Sequence, residues 1–595
     1  MTIYEAPLRD YRFVLNELFD VSELSTFPGY GDATPEMVET VLAEGAKLCE
    51  EVLLPLNRSG DEEGCSFENG VVRTPKGFQE AYRLFREGGW TALAGDPAYG
   101  GQGLPHTLHF FVEEMISSTN LAFGMYPGLS QGAYSAIHNH GSAAQKKTYL
   151  PRLLDGSWSG TMCLTEPQCG TDLGQIRTKA VPGEAEGFYK ITGTKIFISA
   201  GEHDLTENII HLVLARIEGA PEGIRGISLF IVPKFRLAKD GNLGARNGVR
   251  CGSIEHKMGI KASATCVMNF DEAEGWLMGE PHKGMRAMFT MMNGARLGVG
   301  MQGASLGETA YQTARQYAKD RLQGRALKGA RFPAKPADPL IVHPDIRRML
   351  LTIRAYTEGA RAASAWAAMA LDRASHHPDP MIREESEDFL ALMTPIIKGF
   401  FTDNGFIATN LGMQIMGGHG YIREWGMEQL VRDCRITQIY EGANGIQALD
   451  LVGRKIPAHN GRALRRFFHP VDAYIRARLE KPELQEFVAP LAKSFGRLQQ
   501  VTALIAQKGL VDPEEAGAAA SDYLRAFGLV AFAYLWARMA EASLPKLGGS
   551  ESAFYRGKLA TARFFMARLL PETNALFANI TAGAKPLMDI ELDAF

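Results

Sequence analysis

The amino-acid sequence predicts a mainly α-helical protein with a central β domain. Up to residue 160, apolar residues recur at three- and four-residue spacing, which is typical of helices. Short β-branched runs then alternate with glycine-rich and charged turns, and long alanine-rich helical patterns follow. We therefore expect a helical domain at residues 1–160, a β domain at 161–280, a helical bundle at 281–455 and a further helical domain at 456–595.

The first helical domain shows a clear start signal at Thr34-Pro35-Glu36. Threonine is a good capping residue, proline is favoured in the first helical turn, and an acid often follows there. Apolar residues recur from this point to Val52 at helical spacing. Pro55 is expected to end the helix.

Five short runs predict strands in the second region. They are residues 189–191, 196–199, 209–215, 227–232 and 265–270. Glycine-rich and charged turns separate them, which favours a small antiparallel barrel or sandwich.

Long helical patterns predict the remaining elements of the chain. Helices are expected at residues 284–323, 345–372, 385–416, from 427 onward, at 516–544 and at 554–570. Residues 326–344 are rich in lysine, proline and glycine and are expected to form a loop. Residues 457–461 are the expected linker into the last domain.

Composition limits the class of protein. The 595 residues are 46% hydrophobic and 22% charged, as in globular domains, and a formal net charge of −4 argues against general nucleic-acid binding. No apolar run reaches the roughly 18 residues of a membrane span, so we expect a cytoplasmic protein. Seven scattered cysteines without a C-x-x-C pair favour a reducing compartment, with neither disulfides nor a zinc ribbon.

Two segments contain residues suited to binding a ligand. Residues 161–172 (TMCLTEPQCGTD) offer hydroxyls and backbone N–H groups, but a polar linker has the same composition. Residues 414–421 (QIMGGHGY) permit close backbone approach, although on spacing alone a helix-breaking turn is the better interpretation. They do not match the dinucleotide fingerprint G-x-G-x-x-G. From the residues alone, Glu441 is consistent with an ordinary surface glutamate.

These segments belong to a longer set of collinear motifs between residues 35 and 455. The set is 99–105 (YGGQGLP), 145–151 (QKKTYLP), 164–167 (LTEP), 195–199 (KIFIS), 257–260 (KMGI), 414–421 (QIMGGHGY) and 440–442 (YEG). In order and spacing it resembles the acyl-CoA dehydrogenase family of flavoproteins. The chain length and C-terminal region are similar to the long subgroup that includes 3-methylmercaptopropionyl-CoA dehydrogenases of dimethylsulfoniopropionate breakdown.

The resemblance implies a fold and a cofactor. The fold is an N-terminal helical domain, a β barrel and a C-terminal four-helix bundle, plus an extra C-terminal helical domain, with FAD at the junction of barrel and bundle. The residues implied to contact FAD are Thr165, Thr171, Phe197, Ser199, Arg321, Gln414, Gly417 and Gly418. Phe197 stands where many members have a tryptophan against the flavin ring. Arg321 and the last three residues would reach FAD across a subunit interface.

The resemblance also implies the reaction, which is α,β-dehydrogenation of an acyl-CoA thioester to the trans-2-enoyl-CoA. A base removes the α-proton while the β-hydrogen leaves as hydride to the flavin. Glu441 matches the base, and its backbone N–H would stabilise the thioester oxygen. Asn293, Arg296 and Gly442 are implied substrate contacts, and no metal is implied. In branches that place the base before an arginine of the bundle, the corresponding residue is here Ala295.

Three positions depart from the family pattern. Ala443 replaces a common threonine, the Arg-x-x-Phe-Gly motif is Arg321-Leu322-Gln323-Gly324, and Pro344 replaces a glutamine. These departures weaken the assignment of individual FAD contacts, but they do not change the assignment of the FAD site as a whole.

The substrate and the partners remain open at this point. The implied substrate is 3-methylmercaptopropionyl-CoA or another short-to-medium acyl-CoA, with a long-chain enzyme of β-oxidation as the alternative. Electron-transfer flavoprotein is the implied acceptor, although an oxygen-using oxidase has the same motifs. The extra domain is expected to cover the bundle face on which shorter members form tetramers, which leaves a homodimer. A same-fold DNA-associated flavoprotein and a noncatalytic assembly factor are the remaining alternatives.

Other polar groups are expected to be structural. His138 and His140 are two residues apart, so on a helix they point in different directions and do not favour a metal. His203-Asp204 is expected to cap a turn rather than form a catalytic dyad. The basic run at 462–466 is expected to be a solvated helix face, with CoA phosphates, an anionic membrane or a partner as alternatives. Residues 123–136 are expected to line part of the acyl cavity.

Overall fold

The computed structural model describes residues 2–238 and 241–595. The helices are α1 (Leu8–Arg12), α2 (Pro35–Lys47), α3 (Leu54–Glu63), α4 (Phe78–Glu87), α5 (His106–His140), α6 (Ala143–Leu154), α7 (Gly284–Asp320), α8 (Pro344–His376), α9 (Pro380–Met416), α10 (Gly418–Tyr421), α11 (Met427–Arg435), α12 (Asn444–Asp450), α13 (Arg462–Arg478), α14 (Gln485–Val511), α15 (Pro513–Ser543), α16 (Ser552–Phe564), α17 (Thr573–Ala582) and α18 (Lys585–Met588). The strands are β1 (Ser66–Glu68), β2 (Val71–Arg73), β3 (Trp158–Cys163), β4 (Lys179–Pro182), β5 (Phe188–Ser199), β6 (Asn208–Ile217), β7 (Ile227–Pro233), β8 (Phe235–Leu237), β9 (Leu243–Arg246), β10 (Val249–Ile254) and β11 (Thr265–Met278).

The chain divides into two compact units. Unit 1 comprises the residues up to Ala43, His106–Ser118 and Val299–Phe595, and unit 2 comprises Glu44–Pro105 and Thr119–Gly298. Within the described ranges, no helix is long and apolar enough to cross a membrane. All seven cysteines lie in those ranges and are free thiols.

Unit 2 contains a closed β barrel. β11 pairs with β5, β5 with β4, β4 with β6, β6 with β7, and β7 again with β11, so these strands form a ring. β10 and β3 extend the sheet from β11 and β6. The predicted barrel is therefore confirmed. The expectation of a purely antiparallel sheet is wrong, because β6 runs parallel to both β3 and β4.

The strand pattern of the barrel differs from the predicted runs. The runs at 189–191 and 196–199 belong to one strand, β5, because residues 193–195 between them also pair with β11, although the register shifts on either side of them. β3, with the sequence WSGTMC, was missed because small polar residues hide its burial. A Cβ on Gly160 of β3 would lie 2.3 Å from the Cβ of Ala133, so α5 packs directly against this strand.

A break at Asn120 divides α5 into two helical parts. Asn120 has a non-helical backbone, with φ −156° and ψ 84°. Its side chain accepts from the Phe123 N–H at 3.0 Å and donates to the Leu53 carbonyl at 3.2 Å. These bonds cap the second part and attach it to the residues before α3.

Glycines bring two bundle helices of unit 1 close together. A Cβ on Gly405 of α9 would lie 2.2 Å from the Gly303 carbonyl oxygen of α7, and one on Gly300 would lie 2.7 Å from Ile397. α8 and α11 also pack along α9. The three long helices predicted for this region are confirmed with small shifts, at Gly284–Asp320, Pro344–His376 and Pro380–Met416.

The C-terminal helices of unit 1 cover α8 and α9. α15 contacts both helices, and α14, α16 and α17 pack around it. A Cβ on Gly528 of α15 would lie 2.4 Å from the ring of Phe400, which shows how closely α15 and α9 approach. On the α8 side, Trp536 donates to the Ala355 carbonyl at 3.2 Å. The last helical region is therefore packed on the bundle.

The helix start at Pro35 is confirmed, but the predicted end at Pro55 is wrong. Thr34 Oγ1 accepts from the Met37 N–H at 3.3 Å. The helix continues through a π-helical turn, Leu48–Leu53, into α3. Pro55 lies in the first turn of α3, directly after the π-helical turn.

Both predicted connections are present, one with shifted bounds. The loop predicted at residues 326–344 begins earlier, at residue 321, folds around the buried carboxylate of Asp338, and ends with a short 3-10 helix, Leu340–Val342, before α8 begins at Pro344. The predicted linker contains three consecutive left-handed residues, His459, Asn460 and Gly461, before α13.

Candidate active site

A buried ion pair fixes the threonine-rich loop of unit 2. Lys195 of β5 lies 2.8 Å from Glu166, and both side chains are almost fully buried. The remaining donors to the Glu166 carboxylate are the Thr178 hydroxyl at 2.6 Å, the Thr178 N–H at 3.0 Å, the Arg177 N–H at 2.7 Å and the Gln168 amide at 2.6 Å. Because Lys195 also donates to the Leu164 carbonyl at 3.0 Å, one lysine holds both ends of the LTEP motif.

The electrostatics of this pair favour the charged carboxylate. Burial alone would raise the pKa of Glu166, but the Lys195 charge and the hydrogen bonds outweigh it and lower the pKa to about 2. Burial lowers the pKa of Lys195, and Glu166 opposes that shift. The pair is therefore a structural brace for the loop, with its carboxylate saturated by donors.

The brace positions the residues that the sequence assigns to the flavin in unit 2. The Ile196 N–H donates to the Thr165 carbonyl at 2.9 Å, so Thr165 lies directly beside β5. Phe197 has φ 58°, and it is 59% exposed. Ser199 is half-buried at the end of β5, whereas Thr171 is exposed on the loop.

The predicted substrate residues of α7 in unit 2 form a small polar pair. Arg296 donates to Asn293 Oδ1 at 3.4 Å, three residues earlier on the helix. Arg296 is buried, with its guanidinium 5.9 Å from the Phe289 ring centre, whereas Asn293 is exposed.

In unit 1, Glu441 lies in a strained turn between the short helix Ile436–Gln438 and α12. Glu441 has φ 57° and Gly442 has φ 90°, two consecutive left-handed residues. The Glu441 carbonyl accepts from Gln447 at 3.2 Å, and the preceding Tyr440 donates its hydroxyl to Gln302 of α7. Burial raises the pKa of Tyr440 well above its ordinary value, and the Glu441 charge adds to that shift.

The glycine turn of unit 1 is open to solvent. Gly417 has φ 57° and ends α9, and a Cβ on Gly417 or Gly418 would meet no atom within 4 Å. Gln414, one turn earlier, is exposed. Tyr317 near the end of α7 bonds His419 at 2.8 Å, so this turn lies beside the helix that exposed Arg321 follows.

The other polar groups have separate structural partners. His138 pairs with Asp96 at 3.0 Å, while His140 bonds Thr290 at 2.7 Å. His203 is buried and bonds Ser159 at 2.9 Å. Arg462 and Arg466 pair with acids of α9, Glu384, Asp388 and Glu385, so the expectation of a solvated face is wrong for these two residues.

Asp204 turns away from His203 and caps the strand end at Thr74. It accepts from the Thr74 N–H at 3.0 Å and from the Thr74 hydroxyl at 2.7 Å. The turn-capping expectation is confirmed at His203, whose Nδ1 accepts from the Leu205 N–H at 3.1 Å.

Sequence reasoning missed the residues that hold the threonine-rich loop of unit 2 and the Glu441 turn of unit 1. Glu166 and Lys195 lie inside the quoted motifs, and a lysine directly before the apolar run Ile196-Phe197-Ile198 is a signal that could have identified the pair. Asp403 and Asn444, which bond each other at 2.7 Å, are far apart in sequence and carry no such signal.

Comparisons with known proteins agree with this geometry. Family models described as the acyl-CoA dehydrogenase N-terminal, middle and C-terminal domains match residues 36–157, 161–273 and 282–456. A model described as acetyl-CoA dehydrogenase C-terminal like matches residues 467–591. The chain belongs to the acyl-CoA dehydrogenase family. This acyl-CoA dehydrogenase therefore carries the three family domains and an additional C-terminal domain.

Full-length relatives support the same assignment. A 3-methylmercaptopropionyl-CoA dehydrogenase of Ruegeria pomeroyi is 42% identical, covering 99% of this chain and 100% of the relative. A broad-specificity linear acyl-CoA dehydrogenase of Mycobacterium tuberculosis is 33% identical, covering 100% of both. The structure of an acyl-CoA dehydrogenase complexed with FAD from Bacillus anthracis has a TM-score of 0.75 and 20% identity, covering 99% of this chain and 93% of that one, and shows the same fold.

The residues of this acyl-CoA dehydrogenase fit the cofactor of its family, whose members depend on FAD. Phe197 presents an exposed ring from a strained backbone, as expected for contact with a planar ligand. Gly417 and Gly418 leave free the space that side chains would fill. Unit 2 thus carries residues suited to an aromatic ring, and unit 1 carries a turn suited to close backbone approach.

Proposed function

We propose that this acyl-CoA dehydrogenase oxidises 3-methylmercaptopropionyl-CoA to its trans-2-enoyl thioester, as the resemblance of the sequence first implied. The full-length similarity to the Ruegeria pomeroyi enzyme supports this substrate. The observation that carries the chemistry is the turn of Glu441, where Glu441 and Gly442 both adopt left-handed backbone, the kind of strain that clusters at functional sites.

FAD would be held by the polar and aromatic side chains and by the glycine turn described above. The proposed contacts are Thr165, Thr171, Phe197, Ser199, Arg321, Gln414, Gly417 and Gly418. When bound, FAD supplies the acceptor for the β-hydrogen, which leaves the substrate as hydride.

Glu441 would act as the general base. Its carboxylate takes the α-proton while the electrons of that C–H bond form the new carbon–carbon double bond. The backbone N–H of Glu441 donates to the thioester carbonyl oxygen, on which negative charge develops. Gly442 next to it keeps the approach to the thioester free of a side chain.

Asn293 and Arg296 would bind polar parts of the CoA thioester. Arg296 is held by packing and by its bond to Asn293, so its guanidinium is oriented before a substrate arrives. We further propose that the chain works as a homodimer and passes its electrons to electron-transfer flavoprotein.

The proposal is tested by anaerobic bleaching of the purified flavoprotein with a panel of acyl-CoA thioesters. The panel spans butanoyl-CoA to palmitoyl-CoA and includes 3-methylmercaptopropionyl-CoA. Fastest bleaching by the sulfur-containing member supports the proposed substrate. FAD-loaded protein that no member bleaches would overturn the dehydrogenase and favour the DNA-associated or noncatalytic alternatives.

Linear acyl-CoA thioesters are the second candidate substrates. The relative of Mycobacterium tuberculosis, named for broad specificity toward linear chains, matches this chain over its whole length. Faster bleaching by butanoyl-CoA or by palmitoyl-CoA than by the sulfur-containing thioester would select this candidate. Peroxide formation in air, without electron-transfer flavoprotein, would identify an oxidase.

A further inference from the structure

One carboxylate of α9 holds the turn of Glu441 on both sides. Asp403 Oδ1 accepts from the Gln438 side-chain amide at 2.7 Å and from the Asn444 side-chain amide at 2.7 Å. Gln438 precedes Glu441 by three residues and Asn444 follows it by three. Asp403 therefore fixes the separation of the two ends of the turn.

Gln438 and Asn444 are the two anchors of this turn, and the second of them, Asn444, is also fixed by other side chains of α9. Asn444 Oδ1 accepts from the Lys398 ammonium at 2.8 Å, and its amide donates to the Thr402 hydroxyl at 2.9 Å. Lys398 is fully buried, so its position is set by packing as well as by this bond. The first residue of α12 is thereby bound to three side chains of α9, those of Lys398, Thr402 and Asp403.

The backbone between the anchors is strained, which makes the anchors necessary. Glu441 has φ 57°, a conformation that residues with a Cβ adopt only when the surroundings impose it. If Glu441 relaxed to negative φ, its Cβ would point in a different direction and the carboxylate would move with it. A misplacement of about 1 Å at a reacting group lowers a rate by about 10²-fold.

We propose that Asp403 is a positioning residue for Glu441. Asp403 holds Gln438 and Asn444, and these two residues hold the turn that carries Glu441. The inference rests on the proposed role of Glu441 as the base. Asp403 touches neither proton nor substrate in this scheme, and its effect is transmitted through the turn that it holds.

The test compares Asp403→Ala, Asp403→Asn and Asp388→Ala in the FAD-loaded, full-length enzyme. Asp388 lies on the same helix and pairs with Arg462 at 2.6 Å, so its variant loses a carboxylate of α9 without touching the turn. We expect Asp403→Ala to lower kcat by 10- to 100-fold with KM changed less than threefold, at unchanged FAD content. Asp403→Asn keeps an acceptor oxygen and should retain kcat within about fivefold, and Asp388→Ala should retain kcat while losing thermal stability.

Isotope effects separate positioning from a general loss of structure. With substrate deuterated at the α carbon, Asp403→Ala should show a larger primary isotope effect on kcat than the wild type, because proton removal becomes slower. An unchanged kcat and isotope effect in Asp403→Ala would overturn the inference, as would an equal kcat loss in Asp388→Ala. If Glu441→Gln in the same assay keeps its turnover, the proposed base itself is wrong. If Glu441→Gln loses turnover but Asp403→Ala does not, Glu441 remains the proposed base and only the positioning role of Asp403 is wrong.

Discussion

Glu441 and Phe197 are residues with large side chains in left-handed backbone, where glycine would be more stable. A non-glycine residue in this region costs about 1–3 kcal/mol, and such strain concentrates at functional sites. Their φ values, 57° and 58°, place strained backbone at two of the residues that the motifs assign to the site. The motifs identified both residues, but the strain could not be predicted because it depends on bonds to distant residues such as Asp403.

Glu441→Gln keeps the size of the side chain and removes the base. We expect kcat to fall by about 10²- to 10⁴-fold, the usual contribution of a general base, with FAD content unchanged. Steady-state kinetics and the flavin absorbance measure both quantities. Glu387→Gln on the exposed face of α9 makes the same charge change and should leave kcat unaltered. Near-wild-type turnover of Glu441→Gln would rule out this carboxylate as the base.

Two substitutions at Phe197 separate the effect of backbone strain from the effect of losing the aromatic ring. Phe197→Ala and Phe197→Gly both remove the exposed ring, but only glycine relieves the positive φ. We expect both variants to bind FAD more weakly. The glycine variant should be more stable than the alanine variant by about 1 kcal/mol in free energy of unfolding, and should therefore unfold at a higher temperature. Fluorescence titration with FAD and thermal unfolding of the apoprotein measure the two effects. Wild-type FAD affinity in both variants would show that the ring does not contact the cofactor.

At the level of elements, the Glu166–Lys195 pair connects the LTEP loop to β5. The Glu166 carboxylate accepts from the Gln168 side chain, from the Arg177 N–H and from the N–H and hydroxyl of Thr178, so hydrogen bonds to one carboxylate help to order the loop. Removing one partner of a buried ion pair costs about 3–5 kcal/mol, far more than losing an exposed pair. The brace is therefore expected to determine both the stability of this loop and its ability to present Thr165.

Lys195→Met should destabilise unit 2 by about 3–5 kcal/mol at neutral pH, because the buried Glu166 carboxylate loses its cation. The double variant Lys195→Met, Glu166→Gln should recover part of that loss. Lys190→Met, which removes an exposed lysine of the same strand, should change stability by less than about 1 kcal/mol. Thermal unfolding of the three variants checks the order. Equal effects of Lys195→Met and Lys190→Met would contradict a brace.

The same pair also sets a pH dependence. The pKa of Glu166 is about 2 in the folded chain against an ordinary value of 4.5. The stabilisation is therefore present above pH 4.5 and is lost as the pH falls toward 2. This part of the acid sensitivity should be reduced in the double variant.

The elements that the sequence predicted well are those whose burial follows from local pattern. The long bundle helices show helical periodicity over many turns, and their predicted bounds are nearly correct. β3 and Pro55 were misjudged for a different reason. The burial of β3 depends on α5 packing at Gly160, and the helix passes Pro55 because a π-helical turn realigns it. Long-range packing decides the first, and the second depends on a π-helical turn that helical periodicity does not show.

Across unit 1 as a whole, buried charges tie the N-terminal segment and the last helical region to the bundle. Lys558 of α16 is fully buried and pairs with Glu358 of α8 at 2.8 Å and with Asp10 of α1. Arg361 of α8 also pairs with Asp10 and lies 2.6 Å from Glu114. Because leaving any of these charges unpaired would be costly, the C-terminal helices are expected to stay docked during turnover.

The docking of α15 can be tested at one glycine. A Cβ on Gly528 would lie 2.4 Å from the ring of Phe400, whereas one on Gly496 of α14 would meet nothing within 4 Å. Alanine is favoured over glycine in a helix by about 1 kcal/mol at both positions. We therefore expect Gly496→Ala to be neutral or stabilising and Gly528→Ala to destabilise by about 1–3 kcal/mol, as measured by thermal unfolding. A Gly528→Ala variant as stable as Gly496→Ala would contradict tight docking.

The docked helices also predict the assembly. They occupy α8 and α9, so the bundle face that could receive a second dimer is covered, and the wild-type chain should sediment as a homodimer. Loosening α15 through Gly528→Ala exposes apolar surface of α9 around Phe400, so this variant should form larger assemblies on warming, while Gly496→Ala should not. Sedimentation velocity at several protein concentrations measures both. A stable tetramer of the wild-type chain would show that the C-terminal helices do not block further assembly.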